Sequence, residues 1–471
     1  MTGLVLLCSL FALMIMLVIM TYYLRNVEDQ IDHAIDDPEA ESKKKRINFT
    51  QGNIYAALLL TIAGMVAAVY IYVKGTPWEA HLMEWLNIVV RVMHITFGIA
   101  WIGASFYFVF LENALNRTEN VRDELAGNLW AVHGGGFYYL EKYKVAPKTI
   151  PKHLHWFKYE AYFTWVSGFC LLFVVYYFNA SAFLIDKNVL DISPAQGILI
   201  GIGSFIVAWL LYDILCKTLL KKSKLLFALI GFVILVGFAY FYAHVFNSRA
   251  AYIHFGAMIG SIMVANVFFV IIPSQKAMVN AGRKGLPLDP QLGKNALARS
   301  LHNNYFTLPV LFVMVSNHFP STFGYKYPWL ILAIISLGAA GVKHYLNLKE
   351  KGQLSVWVMP VSVIILLAAC FISAPPKNPN ACKSEVSFTE VNTLIQTRCV
   401  VCHSAKPTDD VNKVAPNGVM YDTPDQILAK KDLIMQRVVV TKTMPQNNKT
   451  NMTEAERDII RCWIEQGAKT K

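Results

Sequence analysis

Charge is scarce in this sequence. Only 16% of its 471 residues are Asp, Glu, Lys or Arg, whereas 55% are hydrophobic. A soluble globular protein of this length carries more charge than that. The apolar residues also gather in runs of about 20, the length that crosses the ~30 Å hydrocarbon core of a bilayer. These two features argue against a soluble protein and predict a polytopic helical membrane protein.

Ten apolar runs have the length of membrane spans. The first has no basic residue before it and no evident small-residue cleavage pattern after it, so we expect a retained anchor rather than a cleaved signal peptide. The eighth is the shortest of the ten. The predicted spans are residues 2–24, 53–73, 84–112, 160–178, 195–216, 225–246, 251–272, 302–318, 328–346 and 354–373.

Acidic residues are outnumbered, 31 to 43, which leaves a formal net charge of +12. Such a charge can indicate a nucleic-acid partner, but its distribution argues otherwise. The loops that alternate on one side of the predicted spans hold 24 Lys and Arg, and those on the other side hold four. This asymmetry is the positive-inside pattern. It predicts that the N-terminus and the tail after residue 374 both lie outside, and we expect membrane lipid rather than nucleic acid as the partner.

The sequence also lacks a second Cys/His pair near its end, which argues against a zinc site at RCVVCHSAK (residues 398–406). The spacing of Cys399, Cys402 and His403 is that of a c-type haem attachment site, in which two thioethers hold the porphyrin and the His ligates iron. A redox dithiol is the other alternative, although the His that follows at once and the helical surroundings weaken it.

A second axial ligand is expected far from His403 in the sequence, and Met is a common choice because its thioether raises the reduction potential. Met444, 41 residues later and followed by Pro445, is the main candidate. Met420, Met435 and Met452 stay open as alternatives. On the outer side, Cys382 and Cys462 could form a disulfide if the fold brings them together, which spacing alone does not decide.

Composition divides the chain into four parts. Residues 1–75 hold two spans and a polar connector, and residues 76–373 hold eight spans. Residues 374–384 are rich in Pro and Asn and are expected to be a short linker. Residues 385–471 have the composition of a small soluble domain, for which we predict an α-helical, class I-like cytochrome c fold. Thr453, followed three residues later by Glu456, is a capping pattern for its last helix. The whole is therefore predicted to be all-α.

One face of the third span collects polar groups. At 100° per residue, Arg91, His94, Trp101 and Glu112 fall within about 80° of one another. Ionisable residues in lipid are costly and face the bundle interior, either in a structural hydrogen-bond network or in a substrate or cofactor site. On the inner side, the tract Gly134–Gly136 is expected to allow close backbone approach. A second set of candidate site residues lies on that side, namely His133, His155 and His302.

Several long stretches resemble the PuuD-type membrane-bound urate oxidases (urate hydroxylases), which have a C-terminal cytochrome c domain. They include RVMHITFGIAWIGASFYFVFLENAL, WAVHGGGFYYLEKYKVAP, LHWFKYEAYFTWVSGF, RKGLPLDPQLGKNALARSLHNNYFTLPVLFVMVSNHFP and the tail around RCVVCHSAK and KTMPQNNKT, and together they spread from about residue 84 to 467. The family pattern has eight spans before the cytochrome, so residues 1–75 depart from it.

The resemblance implies oxidation of urate to 5-hydroxyisourate, with electrons passed to haem c and then to a soluble cytochrome c or a terminal oxidase. It also implies a bacterial inner membrane with the cytochrome domain on the periplasmic side. In this reading Arg91 binds the urate anion, His94 accepts a proton, Trp101 forms a wall and Glu112 balances charge or relays protons.

Two alternatives stay open. The span-three motif also resembles that of some membrane oxidases with haem b, which makes His94 a possible haem b ligand. The membrane part could instead be a quinol or other small-molecule dehydrogenase, or an anchor or transporter that carries an electron-transfer cytochrome.

Overall fold

The computed structural model describes residues 69, 71–147, 149–374, 382 and 384–470. The predicted span 2–24 and nearly all of 53–73 lie outside these residues. The chain forms two compact units, of which one comprises residues 1–85 and 148–156 and the other residues 86–147 and 157–471. In the first unit, the rings of Trp78, His81 and Trp85 make successive edge contacts along one helix.

The described residues are mostly helical, as predicted. Proline and side-chain caps set several helix starts, as at Ser193, which forms a capping box with Gln196. Between residues 71 and 374, the helices are α1 (Pro77–Ala114), α2 (Tyr159–Leu172), α3 (Ala180–Phe183), α4 (Pro194–Thr218), α5 (Lys224–Ala243), α6 (Ser248–Asn266), α7 (Ile272–Arg283), α8 (Pro290–Ser316), α9 (Pro320–Phe323), α10 (Pro328–Glu350) and α11 (Val358–Ile372). π-Helical turns at Phe173–Tyr177 and Val267–Ile271 extend α2 and join α6 to α7.

Six helices in the described part of the chain are long and apolar enough to cross a membrane. They correspond to the predicted spans at 84–112, 160–178, 195–216, 225–246, 251–272 and 328–346, and they are consistent with a membrane protein. Of the predicted span 302–318, residues 302–316 lie in α8, and of the span 354–373, residues 358–372 form the shorter helix α11. These two spans stay predictions.

Helix α6 lies at the centre of the bundle, because residues on all of its sides are buried. Its His254 is fully buried among Tyr177, Tyr242 and Phe246, and its Nε2 lies 3.0 Å from the Tyr177 hydroxyl. Gly256 lets α8 approach closely, since a Cβ there would lie 2.5 Å from a methyl of Val313. The core of the bundle is therefore built around this helix.

A buried ion pair joins α4 to α8. Arg299 Nη2 lies 2.5 Å from Asp213 Oδ1, and both side chains are less than a tenth exposed. Arg299 also donates to Asn266 Oδ1 at 3.1 Å, and Lys217 reaches the other carboxylate oxygen of Asp213 at 2.7 Å. Asn266 in turn donates to Asn303 at 3.0 Å. The network compensates charges that would otherwise be unstable in the bundle interior.

A β-hairpin is the departure from the all-α prediction. Strands β1 (Leu125–His133) and β2 (Gly136–Tyr143) pair antiparallel after α1. Gly134 and Gly135 form the turn with φ of 58° and 80°, a conformation that suits glycine. A Cβ at either position would meet nothing within 4 Å. Gly134 and Gly135 therefore serve as a hairpin turn with no described helix against them, and close approach of this tract to a ligand stays a prediction.

The C-terminal residues form a second apolar core around Val391, Ile395, Ile460 and Trp463. Its helices are α12 (Phe388–Arg398), α13 (Pro424–Ala429), α14 (Lys431–Ile434), which continues as a π-helical turn at Met435–Val440, and α15 (Glu454–Glu465). The predicted cap at Thr453 and Glu456 is confirmed as a capping box. Cys382 and Cys462 form a disulfide.

The buried ion pair gives a stability prediction. We expect Asp213→Asn to lower the free energy of unfolding by about 3 kcal/mol or more, because it leaves the Arg299 charge buried with a neutral partner. The measurement is thermal unfolding in detergent.

The matched control is Asp191→Asn, which removes an exposed carboxylate paired with Lys187 and should change stability little. The double variant Asp213→Asn/Arg299→Gln should recover part of the loss. Equal effects of Asp213→Asn and Asp191→Asn would contradict this account of the network.

Candidate functional site

The two cysteines of the RCVVCHSAK motif lie in a tight turn at the end of α12. Cys399 N–H donates to Ile395 at 2.8 Å, and His403 N–H donates to Cys399 at 2.9 Å. Both Cys399 and Cys402 are free thiols. Because the disulfide uses Cys382 and Cys462 instead, both motif thiols remain available for covalent attachment of another group.

His403 is oriented by a backbone carbonyl. Its Nδ1 lies 2.9 Å from Val419 O, so the tautomer with a proton on Nδ1 donates that bond and leaves Nε2 as a free electron pair. Burial lowers the pKa of His403, although the hydrogen bond to Val419 acts in the opposite direction. A neutral imidazole whose other nitrogen is held by a carbonyl is the form that ligates metals.

Met444 packs against the same apolar core as Cys399. Its N–H donates to Arg437 O at 3.0 Å, and its own carbonyl accepts from the buried Arg457 at 2.7 Å. Of the alternative ligands, Met452 is fully buried as part of the core. The donor set of two thiols, an oriented His and a thioether in an apolar setting fits a covalently attached haem. The described residues include no cluster of three or more His, Cys, Asp or Glu suited to a metal ion.

The segment that follows Met444 is anchored on the helical part of the chain before residue 374, which we call the membrane part because its apolar helices are consistent with spanning a membrane. Gln446 Nε2 donates to Ala182 O at 2.8 Å, and Asn447 Nδ2 donates to Ala182 O at 3.0 Å and to Ile185 O at 2.9 Å. Nearby, a Cβ on Gly324 would lie 2.8 Å from Thr441 O. We call residues 441–447 the Met444 segment. It lies directly against the C-terminal end of α3 and the turn after α9.

The site residues predicted on α1 lie in separate surroundings along the helix. Arg91 donates to Asn87 at 3.2 and 3.0 Å, and His94 Nδ1 lies 3.0 Å from Thr164 O and 3.3 Å from Ser167 Oγ. Helix α2 covers one side of the His94 ring, since a Cβ on Gly168 would lie 2.8 Å from its Cε1.

Trp101 packs against the hydrophobic core of the helical bundle. Glu112 pairs instead with Lys142 of the hairpin and with Arg117. Glu112 comes 21 positions after Arg91, which places the two ~31 Å apart along the helix. The common stripe is real, but its two ends cannot contact one small ligand.

The inner-side candidates are engaged locally. His302 Nδ1 lies 2.7 Å from the Tyr212 hydroxyl, and its ring stacks on Phe227 at 4.8 Å. His133 ends strand β1 at the exposed hairpin turn. His155 belongs to the other compact unit.

A polar network around Asn317 was missed by sequence reasoning. Asn317 Oδ1 accepts from Arg249 Nε at 3.1 Å and from the buried Tyr176 hydroxyl at 3.4 Å. One signal could have found it, because Arg249 is the single cation of its loop on the side that is poor in Lys and Arg.

Comparison with known proteins gives one match. The family model described as "Urate oxidase N-terminal" matches residues 80–374, which is more than half of the chain. No curated protein and no solved structure matches the chain. The matched residues comprise the helical part before the C-terminal core.

The environment of the motif gives a pH prediction. Arg398, the residue before Cys399, donates to Glu456 at 3.1 and 2.8 Å. The Thr453 N–H first, and Arg398 second, lower the pKa of Glu456 below its ordinary 4.5. A carboxylate with a depressed folded pKa stabilises the fold above pH 4.5, and this stabilisation is lost as the pH falls through the folded pKa.

We therefore expect Glu456→Gln to destabilise the C-terminal core by about 1 kcal/mol at pH 7 and to make its unfolding less dependent on pH between 3 and 5. Calorimetry of the solubilised protein provides the measurement. Glu385→Gln, at an exposed carboxylate, should leave the profile unchanged. An unaltered profile in Glu456→Gln would argue against this role.

Proposed function

The chain belongs to the urate oxidase N-terminal family, and from this membership we propose that it oxidises urate to 5-hydroxyisourate in a membrane. The electrons leave through a C-terminal cytochrome c domain, residues 385–471, to a soluble cytochrome c or a terminal oxidase. The membership suggests an oxidoreductase, and the six apolar helices are consistent with a membrane location. We propose a bacterial inner membrane with the C-terminal domain on the periplasmic side.

The single observation that carries this proposal is the anchoring of the Met444 segment on the membrane part. Gln446 and Asn447 hold this segment on the carbonyls of Ala182 and Ile185. An oxidase that gives its electrons to its own C-terminal domain needs a short, fixed path between substrate and acceptor. Two side-chain amides with three hydrogen bonds supply the fixed attachment.

The C-terminal domain is proposed to hold haem c. Cys399 and Cys402 would form the thioethers, and His403 and Met444 would supply the nitrogen and sulfur ligands of the iron. When bound, this group supplies a one-electron acceptor. A haem b on His94 is the second candidate cofactor, but the packing of α2 against the His94 ring favours a role in proton transfer for that residue.

The residues of α1 are given roles that their positions allow. Urate is a flat monoanion near neutral pH, and its oxidation with addition of water gives 5-hydroxyisourate, two electrons and one proton. Arg91 donates hydrogen bonds to the urate oxygens. His94, whose Nε2 is free when Nδ1 donates to Thr164, accepts the proton. Trp101 lines the apolar wall, and Glu112 acts only at the far end of α1, with Lys142.

A spectrum of isolated membranes tests the proposal. Urate should reduce a c-type haem band, whereas a quinol should not. Reduction by a quinol and not by urate would favour the dehydrogenase alternative. Urate uptake unaffected by substitution of Cys399 and Cys402 would favour the transporter alternative.

The same assay tests the α1 residues. Arg91→Ala and His94→Ala should lower urate-driven reduction at least 100-fold, the size of effect expected for a lost charged hydrogen bond or a lost general base. Reduction by dithionite should stay normal in both variants, which shows that the C-terminal domain is intact. Normal turnover in both variants would transfer the assignment to His133, His155 and His302.

A further inference from the structure

The β-hairpin exposes large apolar side chains on one face. Trp130 and Val132 of β1 pair with Tyr139 and Phe137 of β2, so all four side chains lie on the same side of the two strands. Their exposed fractions are 67%, 66%, 46% and 78% in that order. The rings of Trp130 and Tyr139 are 4.8 Å apart. We call these four residues the aromatic face.

The aromatic face is large for an exposed apolar patch. With ~200 Å² for a full aromatic side chain, the exposed fractions leave an area on the order of 500 Å². A contiguous patch of this size marks a contact with another protein or with a membrane. The opposite face of the hairpin is different, because Tyr138 is its only large hydrophobic side chain that is exposed.

Charge is absent from the hairpin except at its base. Residues 125–140 contain no Asp, Glu, Lys or Arg. The nearest charges lie where the strands begin and end, at Glu124, Glu141 and Lys142, and Arg122 forms ion pairs with Glu124 and Glu141. The aromatic face could therefore enter an apolar region without carrying a charge into it.

The base of the hairpin is fixed to the end of α1. Asn116 and Asn128 exchange two backbone hydrogen bonds of 2.8 and 3.0 Å. Arg117 donates to the Glu112 carbonyl at 2.9 Å, and the Glu112 carboxylate pairs with Lys142 of β2. These contacts keep the start of the hairpin at the end of a helix that is long and apolar enough to cross a membrane.

Exposed apolar surface therefore continues from α1 into the hairpin. Tyr107, Phe108 and Phe110, in the last two turns of α1, are exposed hydrophobic side chains. Trp and Tyr, which the aromatic face adds, are enriched at the level of lipid headgroups, where one end of the ring is apolar and the other is wet. This continuity favours lipid over a second copy of the chain as the partner of the aromatic face.

The backbone limits how deep the hairpin can lie. Among the described residues its sheet has two strands, so each strand has one edge that no neighbouring strand pairs. Unpaired N–H and C=O groups are not tolerated in hydrocarbon, but water and headgroups can satisfy them at the bilayer surface. The hairpin can therefore lie in the interface, about 5–10 Å into the boundary of headgroups and acyl chains, and cannot span it.

We propose that the hairpin lies on the surface of the bilayer at the C-terminal end of α1, with its aromatic face against the phospholipids. The distribution of Lys and Arg predicts that this is the inner leaflet. The contact holds the end of α1 at a fixed depth. It requires only a membrane location and is independent of the proposed reaction.

Quenching by brominated phospholipids tests the contact in bilayer discs that hold the full chain. The emission that Trp130→Phe removes should fall about twofold or more when lipids are brominated near the ester end of the acyl chain. Bromine near the methyl end should quench it less, because the hairpin is shallow. The emission that Trp463→Phe removes is the control and should not change, since Trp463 is buried in the C-terminal core.

Two adjacent substitutions test which face contacts lipid. Phe137→Asp puts a carboxylate on the aromatic face and should reduce the quenching of Trp130 by about half or more. Tyr138→Asp puts the same charge on the opposite face and should leave the quenching unchanged. Equal effects of the two variants would overturn the assignment of the face.

Three other results would also overturn the proposal. Quenching of Trp130 by aqueous iodide and not by brominated lipid means that the hairpin extends into water. Stronger quenching near the methyl end means that it is inserted in hydrocarbon. Resistance to both quenchers, with a dimer that Phe137→Asp converts to a monomer in light scattering, means that a second copy covers the aromatic face.

Discussion

The contact of Gln446 and Asn447 with the carbonyls of Ala182 and Ile185 is the interaction on which the rest depends. Backbone carbonyls at the end of a short helix need partners, and the two amides supply them. The contact fixes the chain after Met444 against the helical part before residue 374. Without it, the C-terminal core would be a tethered domain, and the proposed electron path to it would have no fixed length.

The low dielectric of the bundle makes an unpaired arginine costly. Arg299 pairs with Asp213 and donates to Asn266, and Asp213 also pairs with Lys217, so this network is structural. Arg91 is partly buried and donates to the neutral amide of Asn87, so among the described residues its charge is oriented but not paired with a carboxylate. The same physical cost thus distinguishes a structural ion pair between helices from a candidate anion-binding residue.

Sequence patterns predicted what is local. Apolar runs located six helices that can span a membrane, and the Thr453–Glu456 pattern located a capping box. The 100° periodicity predicted the polar face of α1. It could not predict that Glu112 pairs with Lys142 of the hairpin, far from Arg91. The sequence did not predict the hairpin, because three consecutive glycines suit a turn as well as a close backbone approach. Tyr176, Arg249 and Asn317 come from three separate segments, and only tertiary packing joins them.

The central claim is that the membrane part oxidises urate and gives the electrons one at a time to the C-terminal domain. Anaerobic titration of the purified protein with urate, followed by the haem spectrum and by product analysis, tests it most directly. Because each urate releases two electrons, half an equivalent of urate per haem should complete the reduction and yield 5-hydroxyisourate. A haem that stays oxidised in excess urate, or that is reduced with no urate consumed, would contradict the account.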